Sequence, residues 1–154
     1  MGRSNGSWPM SGRIEMPSSF VTPLDVEFLD GKTWRLAAPF EFMSEVTESV
    51  IDIPDGFLTD FASIPRVLWA ALPPTGPYGK AAVVHDYLYQ TMDATTHLVT
   101  RKEADQVLKE GMEVLGIGRV TRFAIYAGVR LGGWAAWNKH RKSDESSDQP
   151  PRFV

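Results

Sequence analysis

The chain has 154 residues, no cysteine and a formal net charge of −3, with 43% hydrophobic and 23% charged residues. That length suits one domain with a sizeable core, and the lack of thiols excludes disulfides, thiol catalysis and cysteine-ligated zinc. No apolar run approaches the roughly 20 residues that span a bilayer, and the opening MGRSNGSWPMSG has no apolar stretch of the kind a secretory signal needs. The charge is unevenly spread: residues 119–142 hold Arg119, Arg122, Arg130, Lys139, Arg141 and Lys142 and no acid, a local +6. A basic surface of this kind can meet phosphate groups, although a short solvated helix end explains it as simply.

In chain order, residues 1–19 are rich in Ser, Gly, Pro and Met and read as a flexible arm. Residues 20–140 form the expected single domain, and the polar, proline-ended 141–154 read as a disordered tail. In LDVEFLDGKTWRL, Val26 and Phe28 alternate with polar neighbours, Asp30-Gly31 supplies a turn, and Trp34 and Leu36 resume the alternation, which predicts a hairpin. Phe40 and Phe42 share a face in the next strand, and SVIDIP gives another, ending before an Asp55-Gly56 turn. Ser63 and Pro65 suit the start of a helix that stops at Pro73-Pro74. A second helix spans 81–90. A third follows the capping box Thr100-x-x-Glu103, with Ala104, Val107, Leu108, Met112 and Leu115 at helical spacing. A last helix covers about 119–138, with Phe123, Ala127, Leu131 and Trp134 on one face and glycines at 128, 132 and 133 that lower helix propensity or mark close packing. The fold class is α+β: N-terminal antiparallel β hairpins in a small sheet, then three to four packed α-helices.

The chemistry concentrates in AAVVHDYLYQ. Ala81, Val84, His85 and Leu88 lie on one helical face, Asp86 sits one step round, and Tyr89 is one turn below His85. A lone His on an apolar face is most often a satisfied core residue, but Asp105 alters the weighing. If the helices at 81–90 and 101–115 pack antiparallel, Asp105 reaches an imidazole nitrogen, fixing its tautomer and stabilising the imidazolium formed in base catalysis. Its plainer role is to favour the helix dipole. Asp60, in GFLTDFASIPR, is placed either to ligate a metal beside Asp86 or to cap the helix that follows; Arg66 can pair with any of these acids. His97 and His140 are not spaced with His85 as zinc ligands, so oxygen donors would favour calcium or magnesium.

IPDGFLTDFASIPR, HDYLY, RKEAD, a helix closing on LGIG and a late Tyr/Arg/Gly-rich helix together resemble a domain-of-unknown-function family of phage and prophage proteins. That resemblance covers most of the chain and implies a viral source, with host cytoplasm or virion as the location. Locally, His85-Asp86-x-x-Tyr89 with an Ala-Asp 20 residues after the His resembles the active-site helices of phospholipase A2, as in its short bacterial and fungal members. The resemblance implies His85 as the base, Asp105 as its orienting acid, Tyr89 as a support, Asp86 as a calcium ligand and Asp60 as an upstream ligand. Ca2+ would be the cofactor and a phospholipid membrane surface the partner, with Trp134, Trp137 and nearby cations seating the protein, although core packing is the plainer role of the two tryptophans, Trp134 above all. The pattern departs from that family in lacking its disulfides and a clear glycine-rich calcium loop, for which PPTGPYG is the nearest candidate.

A second class of function competes: a non-enzymatic virion, tail or assembly protein, partnered by other phage structural proteins, with the same residues as a buried polar network. A metal-dependent HD-type phosphohydrolase wants a further His upstream, and none precedes His85. Nucleic-acid binding is not expected, since the net charge is acidic and no recognition motif is present.

Overall fold

The computed structural model describes residues 17–30, 33–59, 78–94 and 98–147. Among the described residues six strands precede three helices: β1 (Ser19–Phe20), β2 (Val26–Asp30), β3 (Thr33–Leu36), β4 (Phe40–Ser44), β5 (Ser49–Ile53), β6 (Leu58–Thr59), α1 (Gly79–Thr91), α2 (Arg101–Val114) and α3 (Arg119–Ser147). The strands form two antiparallel three-stranded sheets, ordered β1-β4-β5 and β2-β3-β6, so the α+β expectation holds with two small sheets rather than one.

Alternation decides which sheet builds the core. In β4 and β5, Phe40, Phe42, Ile51 and Ile53 all point inward and are fully buried, the pattern of a strand with one face on a core. The hairpin of β2 and β3 pairs Val26 with Leu36 and Phe28 with Trp34 as its alternation predicts, but only Leu36 is buried; Phe28 stays half-exposed, edge-on to Trp34 at 5.0 Å.

α1 is buried on nearly every side. Ala81, Ala82, Val83, Val84, His85, Asp86, Leu88 and Tyr89 are all inside, so the helix passes through the core instead of lying across it. α2 is amphipathic, and its capping box forms as expected: Thr100 accepts from the Glu103 backbone N–H, and the Glu103 carboxylate accepts from the Thr100 N–H at 2.8 Å. Ala104, Val107, Leu108 and Met112 then form its inward stripe. α1 and α2 approach closely through small residues: a Cβ built on Gly111 would lie 3.0 Å from the Ala81 Cβ. That close passage brings side chains of α2 within reach of those on α1.

α3 differs from expectation in two ways. It runs to Ser147, beyond the residue 138 at which the helix was expected to end. The face holding Phe123 and Leu131 points outward, these residues being 69% and 86% exposed, while Ile125, Val129 and Trp137 face the core. The reason is geometric: the inward register offers β-branched side chains and Gly133, which lets α3 approach α1. The helix expected to start at Ser63 and Pro65 and to stop at Pro73-Pro74 lies outside the described residues, as do Asp60, Arg66 and His97. Among the described residues no helix is long and apolar enough to cross a membrane.

Candidate active site

The centre of the site is the Asp105 carboxylate in the second turn of α2, with none of its surface exposed. His85 Nε2 lies 3.1 Å from its Oδ1, and the Tyr89 hydroxyl donates to the same oxygen at 2.5 Å. The Arg130 Nη1 of α3 donates to Oδ2 at 2.9 Å. Helical spacing explains the first two contacts together: Tyr89 is one turn from His85 on α1, and its ring packs against the imidazole at 4.1 Å between centroids. Tyr89 therefore both packs against the imidazole and donates to the carboxylate that the imidazole meets.

The network has a definite protonation logic. Burial pushes the Asp105 carboxyl up, but the hydrogen bonds from His85, Tyr89 and Arg130 outweigh it and hold the group below its ordinary value. Asp105 is thus an anion that can only accept. Burial, reinforced by the bond to Asp105, pushes the Tyr89 phenol far up, so it stays a neutral donor. Arg130 is held charged by the same carboxylate. Because an ionised Asp105 supplies no proton, Nε2 of His85 must carry the hydrogen between them, and the free lone pair of a neutral imidazole then sits on Nδ1.

Asp86, adjacent in sequence, is engaged elsewhere. It is 3% exposed, and its Oδ2 accepts from the Thr59 hydroxyl of β6 at 2.7 Å. Asp60, the expected second ligand, falls outside the described residues. Among the described residues no group of three or more His, Asp or Glu could hold a metal ion. On this donor set, Asp86 alone does not make a calcium site.

Other residues around the site were not assigned to it from the sequence. Arg130 was visible only as one cation in a basic segment, yet Arg130, Gly133 and Trp137 follow i, i+3, i+7 and mark one face of α3. Gly133 is where α3 makes room for the tyrosine: a Cβ there would meet the Tyr89 hydroxyl at 2.6 Å. Trp137 packs edge-on to the Tyr89 ring at 5.0 Å and is 8% exposed, so it belongs to the core beside the site and is not free to seat the protein on lipid. Thr59 precedes Asp60 in the GFLTDFASIPR stretch, but only pairing with β3 reveals that its hydroxyl faces α1. Arg101, at the start of α2, bonds the Arg130 carbonyl at 2.8 Å, while its Nη1 is buried with no partner among the described residues.

Comparison with known proteins gives a family and no activity. The uncharacterized protein y4jT of Sinorhizobium fredii (strain NBRC 101917 / NGR234) is 43% identical over 47 residues, 29% of this chain. The match spans only 14% of that relative's length. No solved structure matches. The family described as "Protein of unknown function (DUF1353)" matches residues 34–129, a stretch that includes His85, Asp86, Tyr89 and Asp105. With well over half its length matched, the chain belongs to the DUF1353 family.

Proposed function

We propose that the protein is a hydrolase acting on a lipid ester, with His85 as general base and Asp105 as the acid that orients it. The observation that carries this reading is the arrangement on Asp105 Oδ1, where an imidazole nitrogen and a tyrosine hydroxyl from one turn of α1 converge on a single ionised oxygen. A core needs neither group there.

In the proposed reaction His85 Nδ1 takes a proton from water as the water oxygen attacks the ester carbonyl carbon. The imidazolium that forms is stabilised by Asp105, whose negative charge Arg130 holds in place. Collapse of the tetrahedral species breaks the bond to the alcohol oxygen. The proton on Nδ1 passes to that oxygen, leaving a carboxylic acid and an alcohol. Calcium belongs to the reading through Asp86 and Asp60; bound there, it would stabilise the developing oxyanion. Since the described donors do not form a calcium site, no step is routed through the ion. A phage or prophage source, with action in the host cytoplasm or virion, forms part of the proposal and is supported by the order of the GFLTDFASIPR, HDYLY and RKEAD motifs.

The test is hydrolysis of short-chain phospholipid by the purified chain, with calcium added or chelated. Loss of His85 through His85→Ala should lower the rate by about 10²–10⁴-fold, the usual contribution of a general base. A rate untouched by that change would remove His85 from the chemistry, and one untouched by chelation would remove calcium.

One observation favours a second reading. His85 and Asp86 are 3% exposed and Asp105 is fully buried, as expected of a structural polar network in an assembly protein that binds other phage structural components. On that reading His85→Ala lowers the melting temperature sharply, no ester is cleaved and calcium gives no thermal stabilisation.

A further inference from the structure

Where α2 meets α3, cations outnumber acids among the described residues. Arg101, the first residue of α2, donates from Nη2 to the Arg130 carbonyl at 2.8 Å, which holds it against the turn of α3 that carries Arg130. Arg130 gives its own Nη1 to Asp105 Oδ2 at 2.9 Å. Two guanidiniums therefore share one carboxylate. Glu103, the other acid in this part of α2, is turned to the helix cap, accepting from the Thr100 N–H and hydroxyl at 2.8 and 2.7 Å. With His85 and Tyr89 neutral, the cluster carries one positive charge more than its acid balances.

Arg101 Nη1 shows where that charge is unmet: the atom is buried and has no hydrogen-bond partner among the described residues. An N–H of a cation sealed from water without an acceptor is costly and calls for one. Both side chains are only part-buried, and Arg130 keeps 35% of its side chain exposed, so the pair lies just beneath the surface. A rotation of the Arg101 guanidinium, fast in a part-exposed side chain, brings Nη1 to a ligand arriving from solvent. Guanidiniums on two helices engage separate oxygens, which a tetrahedral phosphate offers in several directions and a carboxylate only in one plane. We propose that Arg101 and Arg130 form a binding site for a phosphate group beside the Asp105 network.

This goes beyond the hydrolase reading, since the site is defined whether or not His85 is a base, and its test reads binding without turnover. Thermal unfolding of the full chain is followed in sodium phosphate and in sodium chloride of equal ionic strength. Phosphate at about ten times its dissociation constant should raise the melting temperature by about 4 °C over chloride. Arg101→Gln, which removes the guanidinium but keeps an amide donor, should abolish that difference, and Arg101→Lys should retain part of it. The shift is read within each variant, so a lower starting temperature does not obscure it. Lys102→Gln removes an exposed cation at the next position and should leave the full shift. Glycerophosphocholine in the same series separates two sources: a shift from this diester identifies a phosphate carried by a larger molecule, and one from inorganic phosphate alone identifies the free ion. The proposal is overturned by equal melting temperatures in phosphate and chloride, by a shift that survives Arg101→Gln, or by one that Lys102→Gln removes as well.

Discussion

α2 carries two inward carboxylates whose partners could hardly differ more. Asp105 and Glu110 are five residues apart, about 140° round the helix, so one faces α1 and α3 while the other faces the β1-β4-β5 sheet. Glu110 accepts from the Ser18 and Ser44 hydroxyls at 2.7 and 2.6 Å, and from the backbone N–H groups of Glu45 and Val46 at 2.7 and 3.2 Å. None of these donors titrates in the usual range; the carboxylate ties the turn between β4 and β5 to the helix. Asp105 instead accepts from an imidazole, a phenol and a guanidinium. Both groups are well satisfied, so saturation alone does not mark a site. The difference lies in what the donors are: those of Glu110 are hydroxyls and backbone amides that can only hold a turn, whereas one of those on Asp105 is an imidazole with a second nitrogen that can accept a proton.

The sharpest way to break this comparison is through activity. Asp105→Asn should reduce ester hydrolysis by about 10²–10⁴-fold, because an amide can turn its own N–H toward His85 and reverse the tautomer. Glu110→Gln, with its turn still bonded, should leave the rate unchanged; equal losses from the two variants would show that both carboxylates serve the fold alone.

Stability ranks next. Asp105→Ala leaves Arg130 and Tyr89 without their acceptor and should cost about 3–5 kcal/mol in denaturant unfolding. Glu110→Ala loses bonds from neutral donors to a half-buried acid and should cost about 1–3 kcal/mol. The reverse order would mean that the sheet turn, not the site, is the better-anchored network.

A double-mutant cycle tests the contact between α3 and Tyr89. Gly133→Ala sets a methyl against the Tyr89 hydroxyl and should destabilise by about 1–3 kcal/mol. Tyr89→Phe removes the obstructing oxygen, so the added methyl should be nearly neutral in that background. Strict additivity of the two changes would deny the close approach.

The smallest effect is on acid stability. Asp105 is held below its ordinary value in the folded chain, so its stabilisation is fully present above the unfolded value of about 4 and is lost as pH falls through the folded one. The melting temperature should therefore drop below about pH 4, and less steeply in Asp105→Asn; identical slopes would assign the acid loss to other carboxylates.

Much of this was legible in advance where the signal is local. The Val26–Leu36 alternation, the buried Phe40 and Phe42, the Thr100–Glu103 capping box and the shared face of His85 and Leu88 all follow from spacing within a few residues. The pairing of His85 with Asp105 was readable as a condition on two helices packing antiparallel, and they pack closely enough to make it. α3 was harder. Apolar residues surround much of that helix, so periodicity alone did not choose between the Phe123–Leu131 face and the Ile125–Val129 face.

Local sequence specified the β2–β3 hairpin, the central strands, the helices from α1 onward, the cap of α2 and which α1 side chains lie together, because each depends on backbone preferences and contacts one turn away. Long-range packing alone set the meeting of Asp105 with Arg130 as well as His85, the bond from Thr59 to Asp86, and the outward turn of Phe123 and Leu131. Those outcomes depend on how closely α3 approaches α1 at Gly133, and on which of its faces must turn inward to bring a guanidinium to a buried carboxylate.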